Sequence, residues 1–309
     1  GGELASHPVA AIDVGSNTIL LLIAAYDPAS GLTIIDEAED QPRLAAGLVE
    51  TGHLAREAAN RALESLERMR DLCRDRGVRR ISAVATAAVR DARNGEEFAQ
   101  QVRHLGIPLR IISPRVEAEL AFRSAAYRFP DAERMLVADT GGGSLELIGA
   151  VERRLELITS LPLGAVRLTE RRLPLPSLRE EIEQQLSRAL ARGAWTNARV
   201  VGSGGTFANL AGMALARRGK PAGTDIQGVE ITSEEIEALL AELAGMELDQ
   251  RRRVPGLRPE RADIIVAGLA VVAELLGRVE ASSVRINRYG IREGLLLEMV
   301  EEKEVKDKE

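Results

Sequence analysis

Three short stretches place small residues directly after apolar runs: "GSNT" (Gly15 to Thr18) after "AAIDV", "GGGS" (Gly141 to Ser144) after "LVADT", and "GSGGT" (Gly202 to Thr206) after "ARVV". Successive backbone N–H groups in such turns form a concave nest for an anion, and side chains this small let phosphate oxygens approach them. The third stretch also runs into a helical pattern, whose N-terminus would face the anion. Gly15, Ser16, Asn17 and Thr18, Gly141, Gly142, Gly143 and Ser144, and Gly202, Ser203, Gly204, Gly205 and Thr206 are therefore candidate phosphate ligands. An ordinary hairpin explains any one of these turns; three of them, each straight after an apolar run, favour a phosphate site. A flexible linker does not fit the triple glycine, because "MLVAD" and "LELI" flank it where a linker has polar sequence.

Two carboxylates, Asp13 and Asp139, stand where an apolar run meets its turn. They would repel a bound phosphate unless a cation bridged them, and Mg2+, or Mn2+ in its place, does this with one or two carboxylates plus phosphate oxygens and water. Glu146 lies on the returning run, where strand alternation sets it beside that cation or leaves it as a surface glutamate among leucines. The three histidines, His7, His53 and His104, fall outside every motif and are expected at the surface. The single cysteine, Cys73, offers neither a disulfide nor a metal pair.

The elements that must carry these residues alternate. "PVAAIDVGSNTILLLIAAY" and "LTIIDEA" are read as strands around turns, His53 to Arg76 as an amphipathic helix ended by Gly77, and "RRISAVATAAV" as a buried strand. A helix at "GEEFAQQVRHLG", a strand at "LRIIS" and a helix at "VEAELAFRSAAYRF" complete an α/β domain. After the polar break "FPDAER" the pattern restarts with "MLVADTGGGSLELIGAV", which places domains at 1–128 and 129–309. The second contains helices at "SLREEIEQQLSRALA", "FANLAGMALA", "TSEEIEALLAELAG" and the apolar "ADIIVAGLAVVAELLG". It closes with strand, glycine turn and helix in "SSVRINRYGIREGLLLEMV", and "EEKEVKDKE" is read as a solvated end. "IDVGSNTILLLI" and "ADTGGGSLELIG" share strand, Asp, glycine, small residues, hydroxyl and strand about one domain apart, the mark of a duplicated domain.

Composition narrows the function. The 309 residues are 45% hydrophobic and 28% charged with a formal charge of −6, which disfavours broad nucleic-acid binding, since duplex affinity rests on neutralising phosphates. At 3%, aromatic residues are scarce for stacking bases. No run reaches the roughly 20 apolar residues of a membrane span, and the opening "GGELASHP" lacks the basic and apolar segments of an export signal, so a cytoplasmic protein is expected. "RRGK" (Arg217 to Lys220), "RRR" (Arg251 to Arg253) and Arg258 with Arg261 could line a track for a polyanion or be solvated faces.

"AIDVGSNT", "ATAAVRDARN", "IIS…EAEL", "DTGGGSLEL", "LPLGAVRLTE", "GSGGT" and "YGIREGLLLEM" together resemble the Ppx/GppA family of exopolyphosphatases and guanosine pentaphosphate phosphohydrolases, in its short two-domain form. The resemblance runs from about Ala10 to Val300 and implies an α/β fold of two ribonuclease-H-like domains of the actin-like ATPase superfamily, with the active site in the cleft between them. It implies Mg2+-dependent hydrolysis of a terminal phosphoanhydride, from inorganic polyphosphate first and from pppGpp as the alternative; self-association as a homodimer is a separate expectation. An actin-like ATPase or sugar kinase and a non-catalytic ligand-binding regulator are the more distant readings. The family's catalytic glutamate falls on Glu117, its phosphate-binding arginine on Arg90, a second basic position on Arg43, and its metal-associated carboxylates on Asp139 and Glu146. The chain departs from the family's Gly-x-Glu-Glu-Ala-Arg pattern at Pro114, Val116 and Glu119. Glu117 suits a general base that polarises water, and Arg90, Arg43, the turns and Mg2+ suit charge neutralisation on the transferring group.

Overall fold

The structure, a computed structural model, describes residues 7–308; residues 1–6 of the opening octet, read above for export, lie outside them. The chain forms two units, one made of the chain up to Ser124 together with Ile291 onward, the other of Ala125–Gly290. Among the described residues no helix is long and apolar enough to cross a membrane.

In the first unit β1 (Val9–Val14), β2 (Ile19–Asp27), β3 (Gly31–Asp40), β4 (Arg80–Ala85) and β5 (Leu109–Ile111) make a mixed sheet ordered β3-β2-β1-β4-β5. β1, β2 and β3 pair antiparallel, whereas β4 and β5 add in parallel on the other side of β1. The helix Arg56–Asp75 buries Ala58, Ala62, Leu66, Met69 and Cys73, a stripe at intervals of three or four. Against it pack Ile12, Leu21 and Ile23 from the sheet and Phe98 from the helix Gly95–His104. Each such large side chain withdrawn from water stabilises the unit by about 1.5–3 kcal/mol.

The second unit repeats the plan. β6 (Arg134–Thr140), β7 (Leu145–Val151), β8 (Arg154–Leu161), β9 (Arg199–Gly204), β10 (Glu230–Thr232) and β11 (Ser283–Ile286) are ordered β10-β11-β9-β6-β7-β8. β6 pairs antiparallel with β7 and parallel with β9, as β1 does with β2 and β4. The duplication read from the two motifs thus extends to whole sheets, the second gaining β10 at its edge. Both units are ribonuclease-H-like α/β folds. The helix Ile265–Val279 is buried on nearly every side, as its composition implied, and Thr232 caps the helix Ser233–Ala244 through a capping box with Glu235.

Two expectations are corrected, the extent of one strand and the division into domains. "RRISAVATAAV" is strand only to Ala85; Ala87–Asp91 turns into a short helix, because Thr86 leaves the extended region once the sheet ends. The tail is exposed, as a solvated end, and is helical as far as Lys306. The final helix, Gly290–Lys306, belongs with the first unit instead of the second, and the second unit begins at Ala125 instead of 129. Its physical cause is a buried face, Leu295, Leu296 and Met299, and a close crossing over the helix Pro114–Arg128. A Cβ on Gly294 would stand 2.2 Å from the Leu120 carbonyl oxygen, so glycine is required for this approach. Exposed pairs also tie this helix to the rest of the unit: Arg110 of β5 with Glu298, Arg80 of β4 with Glu302 and Arg123 of the crossed helix with Glu301, while the Tyr26 hydroxyl donates to Glu304. At such exposure each contributes about 0–1 kcal/mol.

Candidate active site

In the first unit β1 ends on Asp13 and Val14, the turn Gly15 to Thr18 follows, and the Gly15 N–H donates to the Thr18 carbonyl at 3.0 Å. Arg43, exposed and in the left-handed region at φ 52°, docks on this turn: its N–H donates to the Asn17 carbonyl at 3.1 Å, and the Ala45 N–H to the Ser16 carbonyl at 2.9 Å. The structure therefore brings the backbone of Arg43 to the first turn.

Glu117 lies in the first turn of the helix Pro114–Arg128 and is 8% exposed. Pro114 is suited to a helix start, and the Ser113 hydroxyl accepts from the Val116 N–H at 3.3 Å. Arg90, in the short helix after β4, donates from Nη1 to the Glu117 carboxylate at 2.9 Å and to the Ile112 carbonyl at 2.7 Å. The arginine expected on phosphate and the glutamate expected on water are thus bonded to each other. Glu119, one of the departures from the family pattern, points to the exposed side and pairs with Arg115 at 3.1 Å, so its negative charge is met locally.

Asp13 is a strongly perturbed carboxylate of this unit. Its Oδ1 is sealed from solvent and has no hydrogen-bond donor. Burial first, and then the charge of Glu117, push its carboxyl up to about 7, while Arg292 acts in the opposite direction. Arg292 was missed in the sequence: it is 6% exposed, its Nη1 donates to the Leu21 carbonyl at 3.3 Å, and it lies 3.8 Å from Glu37. The available signal was a lone cation in "YGIREGLLLEM", whose other charged residues are Glu293 and Glu298.

In the second unit the turn Gly141 to Ser144 is closed by the same bond, Gly141 N–H to the Ser144 carbonyl at 2.9 Å. Asp139 and Glu146 are direct cross-strand partners, which puts them on one face of the sheet. Leu20 occupies the equivalent place opposite Asp13, so only the second copy carries this carboxylate pair. The Ser203 hydroxyl donates to Asp139 at 3.2 Å, while Glu146 accepts from Ser144 at 2.8 Å and from Ser160 at 2.9 Å. Gly202, Ser203 and Gly204 end β9, and Gly205 and Thr206 open the helix Gly205–Arg217, so this turn meets a helix N-terminus. The Thr140 hydroxyl donates to the Ser203 carbonyl at 3.2 Å, tying it to the second glycine turn.

Among the described residues no three His, Cys, Asp or Glu side chains cluster as a metal cage. A hard cation that keeps its waters asks for less, one or two carboxylates. The paired Asp139 and Glu146 meet that demand, and the donorless Oδ1 of Asp13 is an oxygen that fits a proton or a cation.

The remaining candidates separate. His7, His53 and His104 are exposed. Cys73 is buried and its thiol is raised to about 11 by that burial, which closes a nucleophilic role. Arg217 pairs with Glu242, Arg218 with Glu235 and Arg252 with Asp249, and Arg251 and Arg253 bond nearby carbonyls, the behaviour of solvated faces. Arg258 and Arg261 differ. The Arg258 N–H donates to Asn209, whose amide bonds the Gly205 carbonyl, and the Arg261 guanidinium fills the space beside Gly205.

Comparison with known proteins gives a consistent result. The model of the Ppx/GppA phosphatase family matches residues 22–303. Exopolyphosphatase 1 of Mycobacterium tuberculosis is 29% identical over 298 residues, spanning 93% of this chain and 86% of that protein. A crystal structure of the Aquifex aeolicus member of the Ppx/GppA family is similar with a TM-score of 0.82 at 28% identity, over 96% of this chain and 98% of that one. An exopolyphosphatase from Cytophaga hutchinsonii reaches a TM-score of 0.86 over 95% and 98%; at 24% identity it bears on the fold alone.

Proposed function

The chain belongs to the Ppx/GppA phosphatase family, and on that premise we propose that it is an exopolyphosphatase of the cytoplasm, releasing orthophosphate from the end of inorganic polyphosphate. The observation that carries the reading is the buried Glu117 at its helix start, held by Arg90. A carboxylate fixed in this way accepts a proton from water as the water attacks the terminal phosphorus. The phosphorus–oxygen bond to the next phosphate breaks, the shortened chain leaves with the oxygen, and the proton on Glu117 returns to solvent. Within each unit, N–H groups of its glycine turns left unbonded inside the turn are suited to phosphate oxygens, and Arg43 would add positive charge beside the first turn.

Mg2+ would supply further neutralisation of the phosphoryl charge when bound. Asp139 and Glu146 would hold it in the second unit, and Asp13 offers an oxygen of the same kind in the first. Asp139→Asn is expected to raise the Mg2+ concentration for half-maximal activity roughly tenfold, since Mg2+ sites of this kind rest on one or two carboxylates. A titration of activity against Mg2+ reads this directly, and an unchanged half-point would remove Asp139 from metal binding.

The same chemistry serves pppGpp. Scarce aromatic residues and the exopolyphosphatase relative favour the polymer. Initial rates of phosphate release from long polyphosphate and from pppGpp, at equal concentrations of chain ends, decide between them. Faster release from polyphosphate is expected; faster release from pppGpp would reverse the choice.

A further inference from the structure

The motif "LPLGAVRLTE", Leu161 to Glu170, has no part in the chemistry described so far. In the structure it backs the second glycine turn. Leu163 and Leu168 are buried, and the backbone between them presses on the turn so closely that a Cβ on Gly164 would lie 2.2 Å from the Gly142 carbonyl oxygen. That carbonyl accepts from the N–H groups of Val166 at 3.1 Å and Arg167 at 3.2 Å. The next carbonyl, of Gly143, accepts from Nε of Arg167 at 3.0 Å.

The first turn is held in the same manner. There the second and third carbonyls, of Ser16 and Asn17, accept from the backbone of Ala45 and Arg43. A trans peptide is planar, with its C=O and the following N–H on opposite sides. Tying down the second and third carbonyls therefore turns the third and fourth N–H groups the other way: Asn17 and Thr18 in one turn, Gly143 and Ser144 in the other. One difference stands out between the copies. The third carbonyl of the second turn is held by a guanidinium, not by a backbone amide. Arg167 is exposed, and no carboxylate stands against it among the described residues, so its charge is not spent on an ion pair.

The geometry points to Arg167 as a positioning residue that fixes and polarises the Gly143–Ser144 peptide for phosphate. A charge-assisted bond to the carbonyl pulls electron density from the amide and makes the Ser144 N–H a stronger donor on the far side of the plane. The inference rests on the reading of this turn as a phosphate site.

Kinetics of phosphate release from tripolyphosphate, with calorimetric binding of tripolyphosphate, test it in Arg167→Met and Arg167→Lys. Arg167→Met is expected to raise KM and weaken binding roughly tenfold with kcat within about threefold, the pattern of a lost grip on substrate. Arg167→Lys, which keeps a cationic donor, is expected to recover most of that loss. A merely structural role would lower the active fraction, so kcat would fall, KM would stay and the melting temperature would drop; that result overturns the proposal, as does a Met variant identical to wild type. If wild type itself neither binds tripolyphosphate nor releases phosphate from it, the phosphate reading of the turn fails and the proposal with it. A wild type that works beside an unaffected Met variant removes Arg167 alone.

Discussion

Glu117→Gln is expected to lower kcat on polyphosphate by about 100- to 10,000-fold, the usual contribution of a positioned general base. Binding should hardly change, for the substitution alters one atom and leaves the packing intact. Glu117 is 8% exposed, and an amide oxygen can still accept from Arg90 Nη1, now 2.9 Å from the carboxylate. What disappears is the capacity to take a proton from water. Single-turnover phosphate release measured beside tripolyphosphate binding separates the two effects. Full activity would remove Glu117 from the role, and a matching loss of binding would recast it as a group that merely holds Arg90 in place.

Asp13→Asn is expected to lower activity and raise stability, the second only above a definite pH. Burial and the neighbouring Glu117 raise the folded carboxyl to about 7 from its ordinary 3.8. The folded chain then keeps a proton that the unfolded chain has lost, so stability falls as pH rises from 3.8 through about 7 and is level on either side. At pH 8 wild type carries the whole penalty, about 2–4 kcal/mol after allowance for water reaching the site. Asparagine has no charge to bury, so the variant should exceed wild type by about that amount at pH 8 and match it near pH 4. Denaturant unfolding of both proteins across this range, with chelator present, checks the prediction; a pH-independent difference, or a less stable variant at pH 8, would overturn it. A carboxylate with a donorless Oδ1 that costs folding free energy fits the trade between stability and activity at functional sites.

Much of this site was legible from residue order alone, for physical reasons that can be named. A turn of small residues between two apolar runs has few conformations open to it, which is why Gly15 to Thr18 and Gly141 to Ser144 were found and why both close with the same bond. Asp139 and Glu146 face one another because strand alternation and a four-residue turn fix the register. Residues that act from a distance in sequence left weaker traces. Nothing near Arg90 signals that its guanidinium would reach the carboxylate of Glu117, because that pairing depends on how two helices leave neighbouring parallel strands. Ser160 reaches Glu146 across a hairpin and could not be told from any surface serine. The place of the last helix was misjudged for a related reason: its apolar face, Leu295, Leu296 and Met299, fits a core without stating which.

That last helix has a consequence for how the protein is made. Synthesis runs from the N-terminus, and domains form as their residues emerge. The second unit is continuous and is complete once Gly290 has left the ribosome, whereas the first waits for Ile291 onward, more than a unit's length after its opening strands. The half of the chain synthesised first is therefore finished last. Until then the surface that receives Leu295, Leu296 and Met299 is uncovered, and Arg292 is not yet beside Asp13. A nascent chain is held short of its full charge arrangement for as long as its final helix is missing.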